Sequence, residues 1–441
     1  EMGALINQSD RTILFERIKE CPNFRVVDLL FKDRAHQARV LGVEPKAFVS
    51  TLGDLLRRGP GEMRTVEEAP CQEVVLTGKE VDLTALPIAR HSDLDPGPYI
   101  TGGFDIIRDP DYGTTNSCYP RMLIADRDEG ILSFVTPHSW AIIQKFQERG
   151  MKEMPHATVI GPHPLFEVAA NLSTYHAPYF GEIEYAGRFM GRPAEMVKCK
   201  TVDLEVPAHA EVIIEGTLQL DRDTFKSEGP SVSPSGYAVP REPSMMPVLK
   251  VSAITMRKDP IFRHAQSTCL PSQSSDHVVL PRLCHEAMLF NRLKDMGTEV
   301  LDVSFPLFGA ALTVILQFRH IAIEGQSKDA LLCAMGAPWL NSKIAIAVDE
   351  DIDIYDPADV FHAVATRVNP ETDIISIAGT RANFMEPSGA PIPGRAPYRT
   401  IGKIGIDATK PPLYRENDRK DFERITPVGW GEVRLESFLG D

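Results

Sequence analysis

Several absences narrow this sequence before any motif does. Its seven cysteines (Cys21, Cys71, Cys118, Cys199, Cys269, Cys284 and Cys333) form no C-x-x-C pair and follow no regular spacing. That excludes a zinc ribbon and a disulfide framework, and predicts a reducing compartment. Positive charge is in deficit: 47 Lys and Arg against 61 Asp and Glu leave a net charge of -14. Neither a nucleic-acid backbone nor an anionic membrane surface is an expected partner, although local basic pockets for small anions stay open. No apolar run reaches the roughly 18 residues that a membrane span needs. The opening stretch EMGALINQSDRTILFERIKE carries no secretory h-region, so the expected location is cytoplasmic. Internal repeats, low-complexity tracts, G-x-G-x-x-G and the Walker motif are all missing, and with them any support for Rossmann or P-loop nucleotide chemistry.

What is present is length and periodicity. A chain of 441 residues, 43% hydrophobic, exceeds a single core and predicts two or three domains. Residues 1–95 mix short helical patterns (DRAHQARVLG, KAFVSTLGDLLRRG) with short apolar runs and end at the proline-punctuated LPIARHSDLDPGPY, an expected domain boundary. Over residues 96–275 an alternation of period two dominates (YITGGFDIIRDP, PRMLIADRD, AEVIIEGTLQLDRD, VLKVSAITMRKDP), which predicts an antiparallel, barrel-like domain interrupted by a helix near SWAIIQKFQERG. HVVLPRLCHEAMLFNRLKDMG, within 276–300, predicts a long linking helix closed by a glycine. In residues 301–441, AALTVILQF and KIAIAVDED alternate with helical SKDALLCAMG and PADVFHAVATRV, the pattern of an α/β layer domain.

Chemistry concentrates in a few stretches. TTNSCYPRMLIADRDEGILSF (114–134) predicts two strands joined by a turn, yet it brings Asn116, Cys118 and Arg121 within six residues. TPHSWA places His138 at the end of the strand after that turn, and GEIEYAG sets Glu182 and Glu184 between a tyrosine-rich loop and a strand. An amide oxygen, an imidazole and a carboxylate form a mixed set suited to Mn2+ or Mg2+ holding a phosphate, against a hydrogen-bonded core histidine and a solvated loop acid as the plainer alternatives. KSEGPSVSPSGYAVP is a shaped loop with Glu228 at its entrance, either an ordinary surface acid or a carboxylate paired with Arg121 for proton transfer. In SSDHVVL, Asp276 is the expected N-cap, and His277 in the first helical turn is expected neutral, as a base or as a surface histidine. Lys403 in IGKIGIDATK could meet a phosphate or be solvated.

These stretches in their order and spacing, from about Val75 to Thr409, resemble the UbiD family of prenylated-FMN-dependent decarboxylases, the 3-octaprenyl-4-hydroxybenzoate carboxy-lyases and their aromatic-acid relatives. The pieces that carry the resemblance include LTGKEVDLTALPI, PYITGGFDIIRDP, NSCYPR, TPHSWA, GEIEYAGRFMGRPAEMVKC, DLEVPAHAEVIIEG, EGP, MPVLKVSAITMRKDPIF and GKIGIDAT. The resemblance implies an α/β (α+β) fold: an N-terminal α/β segment, a central split β-barrel that binds the flavin, and a C-terminal α/β oligomerisation domain joined by the long helix. It implies prenylated FMN supplied by a flavin prenyltransferase, its phosphate held through Mn2+ (or Mg2+) by Asn116, His138 and Glu182, with K+ nearby. Thr101, Cys118, Tyr119 and Lys403 are then expected at the cofactor, and Arg121 and Glu228 at the substrate carboxylate.

One departure stands out. The family loop carries a second glutamate where this chain has Ser233, and a serine is a poor acid at neutral pH. Glu228, His277 or a water then takes the role, with His277 the expected one, or the chemistry is atypical. The implied activity is reversible, non-oxidative decarboxylation of an aromatic, heteroaromatic or α,β-unsaturated acid by a carboxy-lyase that assembles as a homodimer or homohexamer. The alternatives are a branch acting on a dicarboxylate or CoA thioester acid, and a non-catalytic subunit of a multi-subunit carboxylase.

Overall fold

The computed structural model describes residues 1–172, 181–230, 232, 236–238, 242–267, 275–310, 312–337, 342–382, 386–392, 399–434 and 437–438. Its centre is a curled nine-stranded sheet that runs Tyr99–Ile100, Arg121–Asp126, Glu129–Ser133, Val248–Met256, Val212–Gln219, Glu153–Ile160, Gly103–Arg108 and Thr115–Asn116, with Val74–Thr77 paired beside Val248–Met256. The pairings are antiparallel, as the period-two alternation predicts.

Both faces of this sheet are buried, and alternate residues serve different cores. Phe104, Ala157, Val159 and Ile213 pack with Leu280, Leu283 and Ala287 of the linking helix. Their neighbours Ile107, Ile160, Val212 and Ile214 pack on the opposite face with Met122, Leu132, Ile142 and Ile143. The 2.0-residue strand period thus sorts one segment into two hydrophobic layers, each fully buried aliphatic side chain contributing about 1.5–3 kcal/mol. The helix Pro137–Glu148 covers the second layer.

The N-terminal segment is stitched into this centre. Arg25–Asp28 pairs in parallel with Ile261–Arg263, and Met63–Val66 pairs in parallel with Ala194–Lys198. The linking helix Asp276–Asp295 ends at Met296, with Gly297 beyond it in the left-handed region (φ 78°), as the glycine signal predicts. Beyond it lies a six-stranded mixed sheet in the order Val300–Ser304, Thr313–Phe318, Ile344–Asp349, Arg399–Asp407 and Ile374–Ala382, with Ala390–Pro391 beside Arg399–Asp407. The helices Gln326–Gly336 and Pro357–Arg367 connect its strands. No helix among the described residues is long and apolar enough to cross a membrane.

Three local expectations are corrected. His138 does not end a strand: the strand stops at Ser133, and Pro137 opens a helix whose first turn carries His138, since a fixed φ and a missing N–H suit proline to that position. Glu182 and Glu184 precede the helix Tyr185–Met190 rather than a strand. Ser275, not Asp276, is the N-cap of the linking helix. The Asp276 carboxylate instead accepts the backbone N–H groups of Leu30 (2.6 Å) and Phe31 (3.0 Å) and pairs with Arg263 (2.7 Å).

Candidate active site

The strand Arg121–Asp126 begins with the side chain around which the site is built. Arg121 Nε donates to Glu228 Oε1 at 2.7 Å, and Nη2 donates to Oε2 at 3.0 Å, a bidentate fork on a carboxylate that is 2% exposed. Tyr99 Oη donates to the same Oε1 at 3.0 Å, and the guanidinium lies 5.8 Å from the Tyr99 ring centre. Glu228 is therefore a buried, fully engaged acid and not the exposed turn residue that composition alone allows. Burial works against the Arg121 charge, but the hydrogen bond and charge of Glu228 outweigh it and hold the guanidinium firmly protonated. Arg121 Nη1 has no hydrogen-bond partner among the described residues, which leaves that edge for a ligand carboxylate. Burial, then the neighbouring Glu228 charge, pushes the Tyr99 phenol well above its ordinary range, so it serves as a donor.

His277, on the first turn of the linking helix, belongs to the same electrostatic neighbourhood. Burial first, and then the Arg121 charge, lowers its pKa to about 4. The expectation of a neutral imidazole is met, but for these reasons and not chiefly through a helix dipole. Ser233 lies outside the described residues.

The metal candidates converge through their neighbours. Asn116 Nδ2 donates to Ser139 Oγ at 3.3 Å, which leaves its Oδ1 as the donor atom for a cation. Glu182, 3% exposed, accepts the Ser117 N–H at Oε2 (3.0 Å), so it is not a solvated loop acid. His138 adjoins Ser139 on the exposed first turn of its helix, where partial desolvation lowers its pKa. Among the described residues no three His, Cys, Asp or Glu side chains gather into a metal site, so the candidate set depends on the Asn116 amide. An O, N, O set around the buried turn 116–118 fits Mn2+ or Mg2+ better than zinc.

The cofactor candidates differ in what they leave open. Cys118 is pinned by Asp105: its N–H reaches Asp105 Oδ1 at 2.6 Å, and its carbonyl accepts the Asp105 N–H at 2.9 Å. Burial raises the Asp105 pKa to about 7. Tyr119 is tilted against Phe104, and its hydroxyl has no partner among the described residues. Thr101 Oγ1 donates to the Ala265 carbonyl at 2.5 Å, and Gly102 beside it lacks the Cβ that would come within 2.5 Å of the Arg263 carbonyl. Lys403 is buried in the C-terminal sheet, where Nζ donates to the Met335 carbonyl at 2.7 Å. Burial, then the Arg381 charge, lowers its pKa. A cleft of about 460 Å3 separates Pro137, at the start of the His138 helix, from Gly379, Arg381, Arg399 and Thr400 of the C-terminal sheet. Asn116 and Arg121 thus stand on the central sheet, Glu228 on the separate ribbon of Lys226–Glu228 and Ser244–Met246, and Lys403 on the C-terminal sheet that borders this cleft.

Two functional features escape the motif reading. Tyr99 and Thr101 are two residues apart in an extended segment and so share a face; applied to PYIT, that period would have flagged Tyr99. The other is an ion network beneath the site: Arg263, 1% exposed, pairs with Glu167 (3.1 Å), Asp276 (2.7 Å) and Asp28 (3.5 Å). No local sequence signal links these residues.

Comparison with known proteins shows the family. Residues 64–269 match the model of the 3-octaprenyl-4-hydroxybenzoate carboxy-lyase Rift-related domain, and residues 278–408 match the C-terminal domain of the same family. The chain is 31% identical over 427 residues to an anhydromevalonate phosphate decarboxylase of Methanosarcina mazei, covering 96% of this chain and 92% of that protein. It is 34% identical over 354 residues to the enzyme of that name from Methanothermobacter thermautotrophicus, covering 78% and 76%. Among solved structures it resembles the UbiD-class enzyme HmfF from Pelotomaculum thermopropionicum in complex with FMN, with a TM-score of 0.88, 30% identity, and coverage of 100% of this chain and 94% of that one. An evolved dimeric form of HmfF, in complex with prFMN, gives a TM-score of 0.84 at 30% identity, with the same coverage.

Proposed function

The chain belongs to the UbiD family of decarboxylases, and from that premise we propose that it releases CO2 from a phosphorylated α,β-unsaturated acid of the anhydromevalonate phosphate type, using prenylated FMN. The observation that carries this reading is near-full-length similarity to a relative named for that substrate, joined to an intact Arg121–Glu228–Tyr99 constellation. A second anionic group on the substrate also suits the cleft. Arg381 lines it, pairs with no carboxylate among the described residues, and is close enough to Lys403 to disfavour its charge.

The residues divide the work. Arg121 binds the substrate carboxylate through its open Nη1 edge, while Glu228 and Tyr99 fix the guanidinium plane so that the bond to the departing carbon points one way. Asn116, His138 and Glu182 would hold a metal at the phosphate of prenylated FMN, and that cofactor, when bound, would supply the electron sink the reaction needs. The carbon that lost CO2 then needs a proton. His277 is the assigned carrier: it is neutral in the free protein chiefly through burial, so it would relay a proton taken up as the substrate carboxylate offsets the Arg121 charge rather than hold one beforehand. The reverse steps carboxylate. Exposed apolar side chains along the C-terminal arm, among them Ile425, Val428 and Trp430, support burial against another copy of the chain.

The test is protein co-expressed with a flavin prenyltransferase, its cofactor released and identified by absorbance and mass, alongside His138→Ala. Prenylated FMN in the wild type and its loss in the variant are expected. CO2 release from the phosphorylated acid, and not from its dephosphorylated form, is the second expected result. A loaded enzyme that turns over only aromatic acids would overturn the substrate assignment.

A further inference from the structure

His91 has no place in the chemistry above, yet it is bonded to the segment that carries Tyr99 and Thr101. It is 9% exposed, and both ring nitrogens are engaged. Nε2 lies 3.1 Å from the Tyr99 carbonyl and 3.4 Å from Thr101 Oγ1, and the Ser267 N–H reaches Nδ1 at 3.2 Å. A carbonyl can only accept and a backbone N–H can only donate, so these contacts select one neutral tautomer, protonated at Nε2. Burial, then the neighbouring His264, lowers the His91 pKa to about 3, which keeps that tautomer over the working pH range.

The ring is also clamped from one side. It stacks on His264 with centroids 4.7 Å apart and planes within 10°. His264 is held in turn by Asp28, whose Oδ2 accepts from its Nδ1 at 2.9 Å and from the Gln266 N–H at 2.9 Å. Gln266 Nε2 returns to the His91 carbonyl at 3.2 Å. On the main-chain side, the His91 and Ser92 N–H groups both bond Asp95 Oδ2, at 3.1 and 2.9 Å. The imidazole thus bridges two segments: 99–101, which presents Tyr99 and Thr101, and 265–267, which leads towards the helix of His277.

We propose that His91 is a positioning residue for the reactive pair, fixing Tyr99 through its carbonyl so that the phenol meets Glu228, and Glu228 in turn holds the Arg121 fork. Asp28 and His264 lock the imbedded ring, which makes the N-terminal segment part of the support of the site. Supporting groups of this kind typically cost about 10- to 100-fold in activity when removed.

Two substitutions separate this role from bulk packing. His91→Phe keeps the stack and the volume but loses both hydrogen bonds; His91→Gln can still donate an N–H to the Tyr99 carbonyl. With flavin retained, kcat of the phenylalanine variant should fall about 10- to 100-fold, with the glutamine variant recovering much of the loss. Tyr99→Phe should add little in the His91→Phe background, because both changes remove the same constraint. If the phenylalanine variant does not fold, His91→Leu, which also loses the donor to the Tyr99 carbonyl, paired with Tyr99→Phe makes the same comparison. Losses that multiply fully, or a phenylalanine variant with wild-type kcat, would overturn the proposal. The activity arm rests on the decarboxylation proposed above, so a crystal structure of the variant gives a reading that does not. Tyr99 Oη displaced from Glu228 supports the role, and an unchanged contact refutes it.

Discussion

Arg121 and Glu228 meet through two hydrogen bonds, Nε to Oε1 at 2.7 Å and Nη2 to Oε2 at 3.0 Å, although 107 residues separate them. The acid is buried and the base partly so, which makes the pair costly to break from one side only. Glu228→Gln keeps the shape of the acid and removes its charge. Its kcat should fall by at least about 100-fold, within the range of groups that organise proton transfer, with flavin content unchanged. Steady-state CO2 release and the absorbance of bound flavin check both halves.

Tyr99→Phe removes one donor from an ionised carboxylate, a hydrogen bond worth about 1.5–3 kcal/mol. If that energy is expressed at the reacting carboxylate, kcat/KM should drop by about 10- to 100-fold. Riboflavin and FMN binding, measured by fluorescence quenching, should stay as in the wild type. A matched loss of flavin would assign Tyr99 to the cofactor instead.

Buried histidines should make the fold less stable in acid, in opposition to Asp105 and Glu167, whose pKa values burial raises to about 7. His277 has a folded pKa of about 4, and burial with the Arg121 charge sets it there. The unfolded imidazole titrates near about 6.5. Below that pH the unfolded chain takes up a proton that the folded site refuses, so stability falls as pH drops, and this contribution stops growing near pH 4. For His277 alone the loss approaches roughly 3 kcal/mol. Buried His156, lowered to about 3 by desolvation, adds in the same direction. Urea unfolding between pH 7 and 4 isolates this contribution as a difference: the stability of the wild type relative to His277→Asn should fall as pH drops.

Glu182→Gln should weaken Mn2+ binding by at least about 10-fold, since it exchanges an ionised oxygen donor for a neutral one. Metal content after dialysis reads this directly. FMN affinity should fall with it while riboflavin affinity does not, because the metal is assigned to the phosphate.

Arg263→Met tests the ion network. It leaves Glu167, Asp276 and Asp28 facing one another in a buried space, and removing one partner from such a group costs about 3–5 kcal/mol. Burial has already raised the Glu167 pKa to about 7 with the arginine present. The variant should unfold at markedly lower denaturant, and more so at higher pH, where those acids ionise.

How much of this could be read in advance differs from residue to residue. The pairing of Arg121 with Glu228 stayed open on composition, where Glu228 reads as readily as a surface-turn acid, and it was the family resemblance that set both at the substrate carboxylate. The strands of the central sheet were legible from their alternation. Tyr99 was not singled out, because an aromatic residue on a strand reads first as core. Asp276 looked like a cap because its position allows it. Arg263 competes for the same carboxylate, and only the fold brings that competitor near. The Arg263 network and the His91–His264 stack depend on segments far apart in the chain, and no local pattern encodes such meetings.

The parallel pairing of Arg25–Asp28 with Ile261–Arg263 also has a consequence for synthesis. Asp28 precedes His264, the ring it holds, by 236 residues. At translation rates of about 5–20 residues per second, the first strand waits tens of seconds on the ribosome before its neighbour exists. Until then the edge that Ile261–Arg263 will cover stays open, and charges beside it such as Glu20 and Arg25 oppose its pairing with other chains.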